Sequence, residues 1–255
     1  MLYNVLVANS RKVIIEMQRY LPNTLSLVAT FYIIFLAMFF GISIIGDPAT
    51  AEANIQFVII SNAFWFLAIM AMTSMGWEVT TEATRGTLEQ LAMSPVGLPA
   101  ILLMRMVANI ATQLVIIAAM LVLVMWTAGQ WLNFDLAMVP ILLPTLISMI
   151  GIGYVVAGLS IIFKQIQALL QIIQFVFLGM TFVPLSVLPW LELAPFVKGV
   201  DLTRQVMTQG LGLGDLGALD WLSLIANAAV YFSLGLVFFR WCERVARRQG
   251  LLGQY

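Results

Sequence analysis

The chain contains no histidine and one cysteine, Cys242, among 255 residues. A single thiol excludes any disulfide within the chain, and without His no clustered His/Cys metal site or Cys/His catalytic pair can be built. Charge is scarce as well: 9% of residues are charged, against about 25% in an ordinary soluble domain. Twelve basic residues balance twelve acidic ones, so no net charge draws the chain to nucleic acid. What fills the space is apolar. Hydrophobic residues make up 62% of the chain, which excludes a soluble globular protein and leaves a membrane one.

Crossing a hydrocarbon core of about 30 Å takes roughly 20 helical residues. Six apolar runs are long enough, at about 24–46, 55–77, 100–128, 136–163, 165–188 and 221–241. The expectation is an all-α integral membrane fold: a surface helix over 1–22, then a single six-span domain over 23–255. Residues 1–22 gather Leu2, Val5, Leu6, Val13, Met17 and Tyr20 on one helical face, the pattern of a helix lying on a bilayer. The first apolar run starts too late and is too long for a cleaved signal peptide, so it is expected to remain. Pro140 and Pro144 predict a kink or a late start in the fourth run. Lys164 and Gln165 leave only a very tight turn before the fifth.

The charges alternate with the crossings. Arg11, Lys12, Arg19, Arg85, Arg105, Lys164, Arg240, Arg244, Arg247 and Arg248 fall on one side, ten of the twelve basic residues. By the positive-inside rule that side, with both termini, is cytoplasmic. The outer side holds Asp47, Glu52, Asp135, Glu192, Asp201, Asp215 and Asp220, with only Lys198 and Arg204.

Two connections exceed a turn. The outer one, about 189–220, mixes apolar pieces with Pro195 and a glycine-rich tail; it is too apolar for a solvated loop and too broken for a span, which predicts short re-entrant helices. The cytoplasmic one contains Glu82-Ala-Thr-Arg85-Gly86-Thr87-Leu88-Glu89-Gln90-Leu91-Ala-Met-Ser-Pro95. A helix over about 81–93 would stack Glu82, Arg85 and Glu89 as an ion-pair ladder and gather Leu88, Leu91 and Ala92 into an apolar knob. Pro95 and Pro99 would end it and start the next span. A solvated loop helix and a docking element both fit these residues.

This segment resembles the coupling helix of type 2 ABC transporter permeases, in which an acidic residue is followed by Arg-Gly-Thr-Leu-Glu-Gln-Leu and then Pro. The outer Pro195-Phe-Val-Lys198-Gly199-Val-Asp201-Leu-Thr-Arg204 is similar to the family's stretch before the last span, although Lys198 and Gly199 replace its usual small apolar or aromatic residues. The resemblance implies a prokaryotic inner-membrane permease that pairs with a second permease chain, as a homodimer. Two copies of a separate ATP-binding subunit would dock through Glu82, Arg85, Gly86, Thr87, Leu88, Glu89 and Leu91. It also implies export of an amphipathic small molecule, drug or lipid-linked substrate by alternating access, with lipid-linked polysaccharide export as a variant. ATP and Mg would be held in the partner, and no cofactor in this chain. A phosphate-binding loop needs Gly-x-x-x-x-Gly-Lys-Ser/Thr, and Lys12, Lys164 and Lys198 lie in no such context. The chain is therefore not expected to be an enzyme by itself.

Ion-coupled transport has little support, because no apolar run has a central charge. Arg105 is the deepest, within snorkelling reach of the surface. Uncharged polar residues recur instead on two faces: Asn62, Trp65, Ile69 and Thr73 on the second span, Gln167, Gln171, Gln174 and Thr181 on the fifth. They either line the substrate path, as the family's second and fifth spans do, or bond neighbouring helices together. Gly151, Gly153, Ala157, Gly158 and Ser160 predict close helix approach in the fourth span. Arg240, Arg244, Arg247 and Arg248 read as anchors to anionic lipid. A membrane assembly protein or passive channel is the rival class; either would run without an ATPase partner.

Overall fold

The computed structural model describes residues 15, 19, 21–45, 50–133, 138–163, 166–212 and 214–250. The expected surface helix at 1–22, the Lys164–Gln165 turn, Asp47 and Asp135 fall mostly or wholly outside them. Among the described residues the regular structure is entirely helical. Five helices are long and apolar enough to cross a membrane: α1 (Leu21–Ile45), α2 (Ala51–Thr84), α4 (Leu98–Ala128), α5 (Met138–Phe163) and α8 (Ala218–Gln249). Between them lie α3 (Leu88–Ala92), α6 (Gln167–Phe182), a 3₁₀ helix at Pro189–Leu193 and α7 (Val197–Gln209). The end of the bundle carrying α3 is called the lower end here, and that carrying α7 the upper.

Helix α2 is the centre of the bundle. It is the most deeply buried of the five long helices, so most of its faces meet protein rather than lipid. It packs against α5, α4, α1, α6 and α7. Phe31 of α1 sets its ring against Trp65 and Phe66 at 5.2 and 4.1 Å. Helices α5 and α8 form the largest single contact, and its cause is glycine. A Cβ on Gly235 would lie 2.0 Å from the Gly151 carbonyl oxygen, and one on Gly151 2.3 Å from that of Tyr231. Two backbones thus touch directly, the use small residues have where lipid gives no hydrophobic drive to helix pairing. The sequence pattern pointed to Gly151 but not to Gly235 opposite it.

Two expectations need correction. The fifth apolar run, read as a span over 165–188, is helical only through Phe182. Val183, which precedes Pro184, is extended (φ −94°, ψ 121°), because a proline ring disfavours helical geometry in the residue before it. At 16 residues α6 is roughly 24 Å long. It nonetheless runs from beside Gly76 and Thr80 at the lower end to beside Ser61 at the upper, where Arg204 bonds both Ser61 and Thr181. The second correction concerns the segment between the second and third runs: no single helix covers 81–93. Instead α2 overruns its expected end and stops at Thr84, and α3 is a separate five-residue helix.

Candidate functional site: the lower tip and the α2–α6 faces

The stop after Thr84 is built by Gly86. Its φ of +69° is the left-handed conformation a glycine adopts at little cost. It lets the Thr87 N–H reach back to the Glu82 carbonyl at 2.9 Å while the Gly86 N–H bonds that of Ala83, also at 2.9 Å. These two reversed bonds are a Schellman closure. The Arg-Gly-Thr of the motif is thus a helix terminator, and the ion-pair ladder of Glu82, Arg85 and Glu89 does not form, because the three residues do not share one helix.

Each of those residues has a different fate. Glu82 is buried; one carboxylate oxygen accepts from the Thr87 hydroxyl and the other lies 2.7 Å from Nη1 of Arg105. The same guanidinium nitrogen is 2.6 Å from Glu78. Arg105 therefore does not snorkel to the surface: it fastens the first turns of α4 to the last turns of α2. Leu88 and Ala92 turn inward and are buried, Leu91 is half-buried, and the exposed apolar group of the tip is Met93. The expected knob thus points into the chain, since burying those side chains removes their apolar area from water. Arg85 and Glu89 are exposed, and neither forms an ion pair among the described residues.

A second fastening comes from far along the chain. Arg247, in the last turn of α8, donates from Nη2 to the Ala92 carbonyl at 2.8 Å and to Glu243 at 2.6 Å. The Ala92 carbonyl belongs to the C-terminal end of α3, where helices leave acceptors unpaired and a cation is favoured. Arg247 is thus a clasp on the tip rather than only a lipid anchor. The signals in the sequence were faint: Glu243 four residues before Arg247, and Glu78 and Glu82 at the same depth as Arg105 across the loop.

The two polar faces meet only in part. Trp65 donates its Nε1–H to the Gln174 carbonyl at 3.1 Å, joining α2 to α6. Ile69 is buried, Thr73 bonds back to the Ile69 carbonyl, and buried Thr181 bonds back to that of Phe177. Asn62 is 1% exposed, and neither atom of its amide has a hydrogen-bond partner among the described residues. Gln167 and Gln171 are exposed on the outer side of α6 and Gln174 is half-buried. Neither exposed glutamine makes a side-chain hydrogen bond among the described residues.

At the upper end the Asp201–Arg204 pair belongs to a packed joint. Arg204 donates to the Ser61 hydroxyl at 3.0 Å and the Thr181 carbonyl at 3.2 Å, lies 3.8 Å above the Phe57 ring and is 3.5 Å from Asp201. Burial lowers its guanidinium to about 10, with Asp201 acting the other way, so it is charged at neutral pH. Pro195 precedes Phe196, whose φ of +56° is costly for a residue with a Cβ; the ring is held by burial and by an edge contact with Phe177 at 5.1 Å. The residues that depart from the family pattern have structural duties of their own. Lys198 reaches Asp220 at 2.7 Å and Glu192 at 3.0 Å. Desolvation opposes its charge, but hydrogen bonds and attraction from the two carboxylates outweigh it and hold Lys198 above the usual lysine value. Gly199 lets α7 press onto α5, where a Cβ would fall 1.8 Å from the Thr145 hydroxyl oxygen.

No curated protein matches the chain. A family model described as ABC-2 type transporter matches residues 6–208. That match takes in α3 and the Arg105 fastening of the lower tip, though not Arg247, and most of the upper joint. The chain belongs to the ABC-2 type transporter family and is a multi-pass membrane protein of the permease class, the transmembrane component that works with an ABC ATP-binding subunit.

Proposed function

We propose that the chain is the permease of an ATP-driven exporter that carries an amphipathic small molecule, drug or lipid-linked substrate out of the cytoplasm. In this reading the lower end is cytoplasmic, α6 completes the sixth crossing, and two copies pair as a homodimer served by two ATP-binding subunits that hold ATP and Mg. The observation that carries it is the tip: a five-residue helix that Arg247 bonds from the side, at the end of α2 and α4, which Arg105 ties together through Glu78 and Glu82, with Arg85, Glu89 and Met93 left exposed. A loop whose only task was to tether two spans would have no need of a buried fastening at Arg105 and a second one at Arg247. A docking surface does, because movement of the partner passes to α2 and α4 only through a rigid connection.

The exposed Gln167 and Gln171 and the unsatisfied Asn62 support a substrate path along α2 and α6, between two copies of the chain. A buried amide without a partner is costly and is kept where another state of the protein, or its cargo, supplies the bond. The path then opens alternately to the two sides as the ATP-binding subunits close and separate.

The test is purification of the tagged chain in mild detergent, identification of co-purifying proteins, and an ATPase assay. A stoichiometric partner with a phosphate-binding loop is expected, released or uncoupled in the Arg85→Ala, Glu89→Ala, Met93→Ala variant while the permease still elutes as a folded species. Wild-type ATPase coupling and transport in that variant would remove the assignment of the tip, and a folded chain with no such partner would remove the exporter reading itself.

A further inference from the structure

Between α2, α4, α5 and α7 lies a cavity of about 400 Å³ that serves neither the tip nor the α2–α6 faces. Ala63 and Leu67 of α2 form its floor, Ala118 and Leu121 of α4 and Leu142 of α5 its walls, and Met207 of α7 its roof. Every one of the twelve residues lining it is apolar. It opens sideways, because α4 and α5 both pack on α2 but make no substantial contact with each other, and Ala118 and Val122 are exposed at the mouth.

We infer that this cavity holds one acyl chain of a membrane lipid, drawn from the leaflet at the upper end. The depth of the mouth selects the occupant. Trp126 and Trp131 are largely exposed near the top of α4, where aromatic side chains mark the membrane–water boundary. The lining stretch of α4, Leu114 to Val122, starts about 6 Å below Trp126 and continues for about 12 Å of helix. It therefore covers most of one leaflet's share of a core about 30 Å thick, and the medium at the mouth is hydrocarbon. Water would find no hydrogen-bonding partner in such a chamber, and apolar cavities of this kind stay dry and take apolar guests. A chamber this large is also within the size range of ligand sites rather than packing defects. Paired polar groups sit above it: Gln56 bonds Gln130 at 3.3 Å, and the Asn133 N–H bonds the Met207 carbonyl at 3.1 Å. A lipid can keep its headgroup at that level while one tail fills the space between α4 and α5. The tail then holds apart two helices that would otherwise close on each other.

The experiment uses the full chain in phosphatidylethanolamine–phosphatidylglycerol vesicles containing a trace of phospholipid with a photoreactive diazirine near the end of one acyl chain. Labelled residues are mapped by mass spectrometry. Ile60, Phe64 and Leu67 are buried and reachable by a lipid tail only through the cavity, whereas the α8 face with Leu222, Val230 and Val237 is open to bulk lipid. The expected result is label at both places in the wild type. With Ala118→Trp, an exposed position at the mouth, or with Ala63→Met on the floor, label on Ile60, Phe64 and Leu67 should fall to background while that on α8 persists. Label on α8 alone in the wild type would overturn the proposal, as would α2 labelling that survives both variants. Label on α2 that appears only when the vesicles also hold the co-purified ATP-binding subunit and ATP would assign the cavity to transported cargo and overturn it too.

Discussion

Arg105→Ala removes the cation that joins α4 to α2 and leaves Glu78 and Glu82, one helical turn apart, facing the gap together. The guanidinium is 14% exposed and the two carboxylates 20% and 11%, so water replaces little of what is lost. Taking one partner from a buried ion pair costs about 3–5 kcal/mol, and the residual exposure puts the expected loss at the lower end, about 3 kcal/mol. In a chain of this size each kcal/mol moves Tm by roughly 2–4 °C, which gives a drop of roughly 6–12 °C. Size-exclusion chromatography of detergent-purified protein after stepwise heating measures it. The decisive comparison is the triple variant Arg105→Ala, Glu78→Gln, Glu82→Gln. If the cost comes from losing the Arg105 cation between two like charges, neutralising both carboxylates recovers most of the lost Tm. A single variant within about 2 °C of wild type, or a triple variant no more stable than the single one, would refute the reasoning.

Gly199→Ala should cost about 1–3 kcal/mol by overpacking α7 against α5, with partial recovery on adding Thr145→Ala; Gly41→Ala, where a Cβ would meet nothing within 4 Å, is the control, and equal melting of the two glycine variants would count against the close contact. Arg247→Ala should speed amide hydrogen exchange across residues 88–93 while exchange in α5 stays as it was; unchanged protection of the tip would show that the bond to Ala92 holds nothing in place. Because Lys198 is raised above its unfolded value of about 10.4, its clasp should be fully present below that pH and lost only as the pH climbs past the raised value. The Tm difference between wild type and Lys198→Met should then be constant from about pH 6 to 9, and one that has vanished by about pH 8 would show that Lys198 is not raised.

Long apolar runs are the clearest signal a sequence carries, since bilayer thickness fixes their length; α2, α4, α5 and α8 were legible for that reason, as was the close approach at Gly151. The failures have physical causes. The early end of α6 depends on the geometry that Pro184 imposes on Val183, and the surrounding residues are apolar enough to hide it. The two-part tip was concealed by a periodicity that fits one helix, while Gly86, the residue that decides otherwise, is the kind of interior glycine a helix sometimes tolerates. The Arg105 and Arg247 contacts join residues 23–27 and 155 positions apart. No local pattern encodes such distances. Of the residues expected to line a path, Asn62, Trp65 and Ile69 of α2 are buried in the single chain and Gln167 and Gln171 of α6 are exposed, a division that the spacing of polar residues along either helix could not foretell.

Helix α2 is fastened differently at its two ends: to α4 through Arg105 below, and to α6 and α7 through Trp65 and Arg204 above. Its 34 residues make a strut about 51 Å long, with no proline inside to absorb a bend. A push at the tip therefore does not dissipate along the way. In the proposed exporter it would tilt the strut about its crowded middle and swing the upper joint in the opposite sense, so a single helix would gear the two ends of the protein to each other.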